Sequence, residues 1–392
     1  GRPNLSPFNP PERLLLGPGP SPVDPRVLSA MAAPVLGHLD PAFLECMDDI
    51  KTMLRYAFDT ENTMTLPISG TGSAGMEAAI VNLVEPGDVV LVCISGFFGE
   101  RMHEMAERAG AKTIALRGEW GKPVDRDEIE AALKSNKPKV AAIVSAETST
   151  GVWQDLSGLG ALVHSHGALL VVDAVTALGT QPLQVDANEI DVCFSCSQKG
   201  IGAPPGLAPI TFSERAMDAI THRGRKVQSW YLDVTTIRQY WGSDRSYHHT
   251  APISMNYALR EALRLLCEEG LEARWDRHKL NSRAFVAGVE SMGLNMIVAP
   301  EDRLWGVNVV RVPDSIDDAA VRRHLLDKYS IEISGGLGTF KGKVWRVGLM
   351  GSGSTKENVT LLVKALQEAL TAQGLACPSG LEAAQQTYSS AG

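Results

Sequence analysis

Between Pro67 and Thr211 the chain alternates short, unbroken apolar runs with helix-like segments, and this alternation restricts its fold more than any other feature. The runs include Asp88–Ile94, Val140–Val144 and Ala168–Asp173. They are brief and rich in β-branched residues, the pattern of strands covered on both faces. Between them, Arg126–Leu133 and Leu156–His166 carry apolar residues at helical spacing. Such alternation predicts an α/β fold built on a mainly parallel sheet, with helices on both sides and ligands at the carboxyl ends of the strands.

After about Pro252 the texture changes. Met255–Glu269 and Leu271–Met292 read as long helices broken at Gly270. A strand (Trp305–Arg311), a helix (Asp317–Tyr329), a strand (Lys343–Val347) and a helix (Thr355–Gln373) follow. The expected organisation is an N-terminal arm (1–22), a large domain (23–275) and a small C-terminal α+β domain (276–392). A chain of 392 residues has the length for two cores. The sequence is silent on the order of the tail beyond Ala376.

A formal net charge of −8 argues against a nucleic-acid or anionic-membrane partner. No apolar run approaches the roughly 18 residues of a membrane span. The polar, proline-rich Gly1–Pro11 lacks a signal-peptide core, and Ser389–Gly392 is not a peroxisomal address. A cytoplasmic enzyme is expected. Of the six cysteines only Cys193 and Cys196 lie close together, inside an apolar run that reads as a buried strand, so packing is expected and no metal.

Three features carry chemistry. In Ser69–Gly75, the spacing of Gly70, Gly72 and Gly75 matches a dinucleotide fingerprint. That match is weak: Pro67 interrupts the run before it, and no acid closes a second strand about 20 residues on. Small residues at a helix start still expose N–H groups, which with the helix dipole bind phosphate; Thr71 and Ser73 add hydroxyls. A plain tight turn is the alternative. Asp173 ends an apolar run, where a carboxylate either faces the ligand crevice or caps the next helix. Lys199 closes another run and precedes the turn-prone Gly200–Gly206, an unusual setting for a lysine.

Together these fit pyridoxal 5'-phosphate (PLP). That cofactor needs an amine for its Schiff base, an acid to keep its pyridine nitrogen protonated, a phosphate cup and a flat surface against its ring. Lys199, Asp173 and the Gly70–Gly75 loop meet the first three needs, and Phe97 or Phe98 meets the fourth.

The chain resembles the class-V group of fold-type-I PLP enzymes, specifically the alanine–glyoxylate and serine–glyoxylate aminotransferases. The likeness runs from about Leu14 to Leu370. Its markers are Leu16–Pro20, Ser69–Gly72, Glu147–Gly151, Val171–Asp173, Ser197–Lys199, Tyr247–Thr250 and Trp345–Gly348. The resemblance implies a large domain with a seven-stranded-type, mainly parallel sheet. It also implies Lys199 as the Schiff-base lysine, Asp173 on the pyridinium and Val175 packed on the ring. Thr71, Gly72, Ser73 and Gln198 would hold the phosphate, and Ser149 would lie near the ring hydroxyl. Phe98 stands where relatives often carry a stacking tryptophan.

The resemblance further implies Arg346 as the substrate-carboxylate ligand, with Gly19, His38 and Tyr247 on the substrate side. Without it, Arg346 reads more readily as the exposed side of a strand, and Tyr247 as a structural hydrogen-bonding residue. A homodimer with shared sites is implied, Tyr247 and Thr250 reaching into the neighbour's site. The expected activity moves an amino group from alanine or serine to glyoxylate. Ureidoglycine–glyoxylate aminotransferase is the alternative, because Asp24–Leu28 and Leu39–Phe43 look like that branch. Tyr247 favours the alanine pattern, and His38 fits neither. A desulfurase is set aside because Ile333–Thr339 has no cysteine, and a non-catalytic homologue is disfavoured by the presence of Lys199, Asp173 and Arg346.

Overall fold

A computed structural model describes residues 1–392. Its central sheet has seven strands, in the order Met64–Ser69, Leu207–Phe212, Val192–Phe194, Leu169–Asp173, Val140–Val144, Val89–Ile94 and Lys112–Arg117. Only Leu207–Phe212 runs against its neighbours. The parallel strands read from the sequence are all present, three within a residue of their expected limits and the one holding Cys193 shorter, at Val192–Phe194 within the run Ile190–Cys196. Four of them are almost wholly buried, which explains their unbroken apolar character.

One expectation is corrected. Pro67 counted against a strand before the glycine-rich loop, yet Met64–Ser69 is a strand. It lies at the edge of the sheet, where a residue without an N–H leaves no partner strand short of a hydrogen bond.

Beyond the sheet, helices Ile253–Glu269 and Leu271–Ser291 meet at Gly270, whose φ of 88° falls in the left-handed region that glycine adopts without strain. The C-terminal part carries a three-stranded antiparallel sheet of Val307–Arg311, Val344–Gly348 and Ser334–Gly335. Helices Asp318–Tyr329 and Lys356–Ala372 belong to this part. The tail is ordered: helix Leu381–Ser389 packs on Leu271–Ser291, and the Tyr388 hydroxyl donates to Asn281 Oδ1 at 2.5 Å.

Two separate apolar cores result, of 76 and 23 buried residues, and the smaller includes Leu16 from near the N-terminus. This N-terminal segment bridges the two cores. Leu14–Leu15 pairs with Ile331–Glu332, Gly348 N donates to Leu16 O, and Ser21 N donates to Gln198 O. Residues Gly17 to Pro20 are thereby strung across the carboxyl end of the large sheet. No helix is long and apolar enough to cross a membrane.

Candidate active site

Asp173 is the last residue of its strand and only 2% exposed. Its Oδ1 accepts one hydrogen bond, from Val175 N at 2.9 Å, and no cation forms an ion pair with it. Burial pushes its pKa up to about 7; the charge of Glu147 acts in the same direction, while the Val175 amide, Arg101 and Lys199 oppose it. The alternative role as a helix cap is not what the structure displays, because no helix begins immediately after Asp173.

Lys199 follows strand Val192–Phe194 through the turn Ser195–Gln198. Its backbone is pinned by Ser21 Oγ, which donates to Lys199 O at 2.8 Å, and its Nζ donates to the Pro18 carbonyl. Burial lowers its pKa; nearby Arg346 lowers it further, while Cys196 and Asp173 act to raise it. Gly19 sits against this amine with a φ of +128°, and a side chain there would run into Lys199. Glycine at this position is thus a steric requirement of the site.

The glycine-rich loop leads from the edge strand into helix Gly72–Leu83. Thr71 caps that helix in an extended conformation without a side-chain hydrogen bond, so the Gly72 and Ser73 N–H groups stay available to an anion. Gly75 lets the helix lie close on the sheet, since a Cβ there would approach Ala208 Cβ to 2.9 Å.

One cavity of ≈ 160 Å³ gathers Thr71, Gly72, Ser73, Phe98, Asp173, Val175, Gln198 and Lys199. These are most of the cofactor-side residues expected from the sequence. Gln198 Oε1 is buried there without a hydrogen-bond partner. Of the two candidate stacking rings, Phe98 faces the cavity whereas Phe97 is 38% exposed.

Three lining residues were not anticipated: Met76, Thr148 and Arg101. Arg101 was within reach, because it follows Phe98 by one helical turn and so shares its face. Glu147 was also missed. It is fully buried, and its Oε1 accepts from Phe98 N at 2.8 Å and Gly99 N at 3.1 Å. Helix Phe97–Arg108 starts at Gly96 with no cap of its own, so Glu147 caps it from another part of the chain. Burial raises the pKa of this carboxyl, against the hydrogen bonds it accepts. Ser149 does not line the cavity: its hydroxyl donates to Glu147 at 2.5 Å and accepts from Phe97 N at 3.0 Å.

Arg346, on Val344–Gly348, is 7% exposed, which removes the exposed-strand alternative. Nε donates to Gly335 O at 2.8 Å and Nη1 to Thr148 O at 3.4 Å. Burial brings its pKa down to about 10, opposed by Glu147. It has no carboxylate partner within ion-pair distance.

His38, Tyr247 and Thr250 lie apart from this chain's cavity. Tyr247 is 62% exposed, its ring 5.0 Å from that of His38, and Thr250 is exposed. Neighbouring His249 Nε2 meets Ser69 Oγ at 2.7 Å, which ties this surface to the start of the glycine-rich loop.

A mainly parallel sheet bearing a lysine, a buried carboxylate and an open helix N-terminus at its strand ends defines the fold-type-I architecture of PLP-dependent transferases. The family model Aminotransferase class-V matches residues 14–362, and the chain belongs to that family. An alanine–glyoxylate aminotransferase structure from Nostoc sp. is 50% identical with a TM-score of 0.92, covering 94% of this chain and 97% of its own. The ureidoglycine–glyoxylate aminotransferase structure from Bacillus subtilis is 40% identical with a TM-score of 0.95, covering 97% and 99%. The alanine–glyoxylate aminotransferase of Drosophila melanogaster is 42% identical over 95% of each chain.

Proposed function

We propose that this aminotransferase binds PLP at Lys199 and moves the amino group of a small amino acid, alanine or serine, to glyoxylate in two alternating half-reactions. The observation that carries the reading is the cavity that joins a lysine amine, a carboxylate without a cation and an open helix N-terminus. The residues fit the cofactor. A protonated pyridine nitrogen supplies the cationic partner that Asp173 lacks, and a phosphate suits the free first-turn amides of Gly72 and Ser73.

When bound, PLP supplies the electron sink that makes the substrate Cα proton acidic. Lys199 Nζ, driven toward its neutral form by burial, is the base that removes this proton and later returns one. Asp173 holds the positive charge on the ring nitrogen. Phe98 and Val175 line the slot that keeps the ring in place. Arg346 binds the substrate carboxylate with a planar, preset guanidinium. Ser149 acts through Glu147 and the start of the Phe98 helix.

The two similar structures are described as acting on glyoxylate, which supports that acceptor. Ureidoglycine is the second donor to test, given the 0.95 TM-score of the Bacillus subtilis protein. Absorbance of the purified protein with PLP decides between them. A visible band bleached by alanine or serine and restored by glyoxylate is the expected result. A band that only ureidoglycine bleaches assigns the second reading, and no band at all overturns the role of Lys199.

Arg346→Ala is expected to leave the PLP band unchanged and to lower kcat/KM about 10- to 150-fold, mostly through KM. That is the weight of a charged hydrogen bond of roughly 1.5–3 kcal/mol. An unchanged KM for the amino donor would overturn the carboxylate role.

The active unit is a homodimer in which the exposed Tyr247 and Thr250, with His38, complete the neighbour's site. Sizing at the assay concentration tests this: a dimer that loses activity on dissociation is expected, and a fully active monomer refutes it. Acidic net charge and six free cysteines suit the cytoplasm.

A further inference from the structure

We infer that Arg101 is the cation of the phosphate cup, binding the cofactor's phosphate alongside the N-terminus of helix Gly72–Leu83. The inference rests on the PLP reading above and concerns a residue to which neither the sequence reading nor the family resemblance gave a role.

Charge balance is the first argument. A phosphate monoester near neutral pH carries roughly −1.5 to −2. The helix N-terminus offers roughly half a positive charge. Thr71, Gly72, Ser73 and Gln198 add neutral donors only. Two basic side chains line the cavity, Lys199 and Arg101, and Lys199 is committed to the other end of the cofactor. Arg101 is left as the one full positive charge able to meet the phosphate.

Geometry is the second. Arg101 Nη1 donates to Ser73 Oγ at 3.1 Å, so the guanidinium already stands at the second residue of the helix whose amides face the cup. Its carbon lies 4.8 Å from the centroid of the Phe98 ring, which fixes the plane of the group. A guanidinium presents several donors in one fork, and here only one of them is used within the protein.

No carboxylate neutralises Arg101. The adjacent Glu100 is taken by Arg117, with bonds of 2.6 and 3.0 Å. Arg101 itself forms no ion pair, although the same helix pairs His103 with Glu107 and Arg108 with Glu104. An arginine in a cavity, stacked on a ring and without a carboxylate, is arranged to receive an anion.

The test is a titration of apo-protein with PLP and, separately, with pyridoxal, which lacks the phosphate, following the visible band. Arg101→Gln is expected to weaken PLP binding at least 10-fold while changing pyridoxal binding less than 2-fold. Arg101→Lys, which keeps the charge but not the fork, should fall between. Thermal melting of each apo variant identifies any that fail to fold, and the lysine variant then carries the comparison. Equal weakening of PLP and pyridoxal would mean that Arg101 acts only through Phe98, and unchanged PLP binding would mean that it has no role; either overturns the inference. Absence of a band in the wild-type protein with either compound overturns the cofactor reading itself, and the role of Arg101 with it.

Discussion

Replacing Lys199 with alanine is expected to abolish turnover, by roughly 10⁴-fold or more, while the fold survives. A positioned general base alone contributes up to about 10⁴-fold, and Lys199 also serves as the covalent anchor. The side chain does little for stability. Its amine is driven toward the neutral form by burial and makes one hydrogen bond, to the Pro18 carbonyl. The backbone that shapes the site is held by other groups, through Ser21 on Lys199 O and Gly202 N on the same oxygen. Melting of the apo variant close to wild type, with no transamination and no visible PLP band, is the expected pair of results. Normal turnover would remove the central assignment.

The wild-type pH profile carries a related expectation. A folded pKa below the ordinary lysine value means that the base is neutral, and active, at lower pH than a free lysine would be. The rate should therefore fall as pH drops through that lowered pKa, with the plateau on its alkaline side. A limb at or above the ordinary lysine range would contradict burial as the cause.

Lys199 and Asp173 were legible because Asp173 ends, and Lys199 shortly follows, a strand whose apolar run is plain in the sequence, and the ends of parallel strands meet at one crevice. The glycine-rich loop was legible for a related reason: small residues between a strand and a helix leave amides uncovered. In the sequence Glu147 is only part of a family marker, and Ser149 is expected at the ring hydroxyl, which is not where it lies. Their work is to cap helix Phe97–Arg108 across some 49 residues of sequence, and no local spacing reports such a contact. Pro67 misled because the rule against proline in strands is a rule about interior strands, and edge position is a property of the whole sheet. His38, Tyr247 and Thr250 lie outside this chain's cavity, and under the proposed homodimer their roles rest on a second copy that no strand or helix pattern describes.

Asp173→Asn is expected to raise the stability of the apo-protein and at the same time to cripple the enzyme. The folded pKa of about 7 lies above the ordinary value of 3.8. Above pH 7 the group is ionised in both states, and holding that charge in the folded interior costs about 4 kcal/mol, at about 1.36 kcal/mol for each pH unit of difference. Below the ordinary value it is protonated in both states and the cost disappears. The contribution to stability is thus fully present in acid and lost as pH rises through 7. Asparagine carries no charge and can still accept the Val175 N–H bond, so the apo variant should melt above wild type at pH 8, with the gap closing toward pH 5. Adding PLP should reverse the order, because only the carboxylate gains a partner in the ring nitrogen. Breaking a buried pair of this kind is worth roughly 3–5 kcal/mol, which corresponds to a loss of activity of roughly 10²- to 5 × 10³-fold. Paired melting curves at pH 8 with and without PLP read both effects at once. If the variant melts no higher than wild type without PLP, the carboxylate is not held against its charge. If PLP stabilises both proteins equally, Asp173 does not meet the ring.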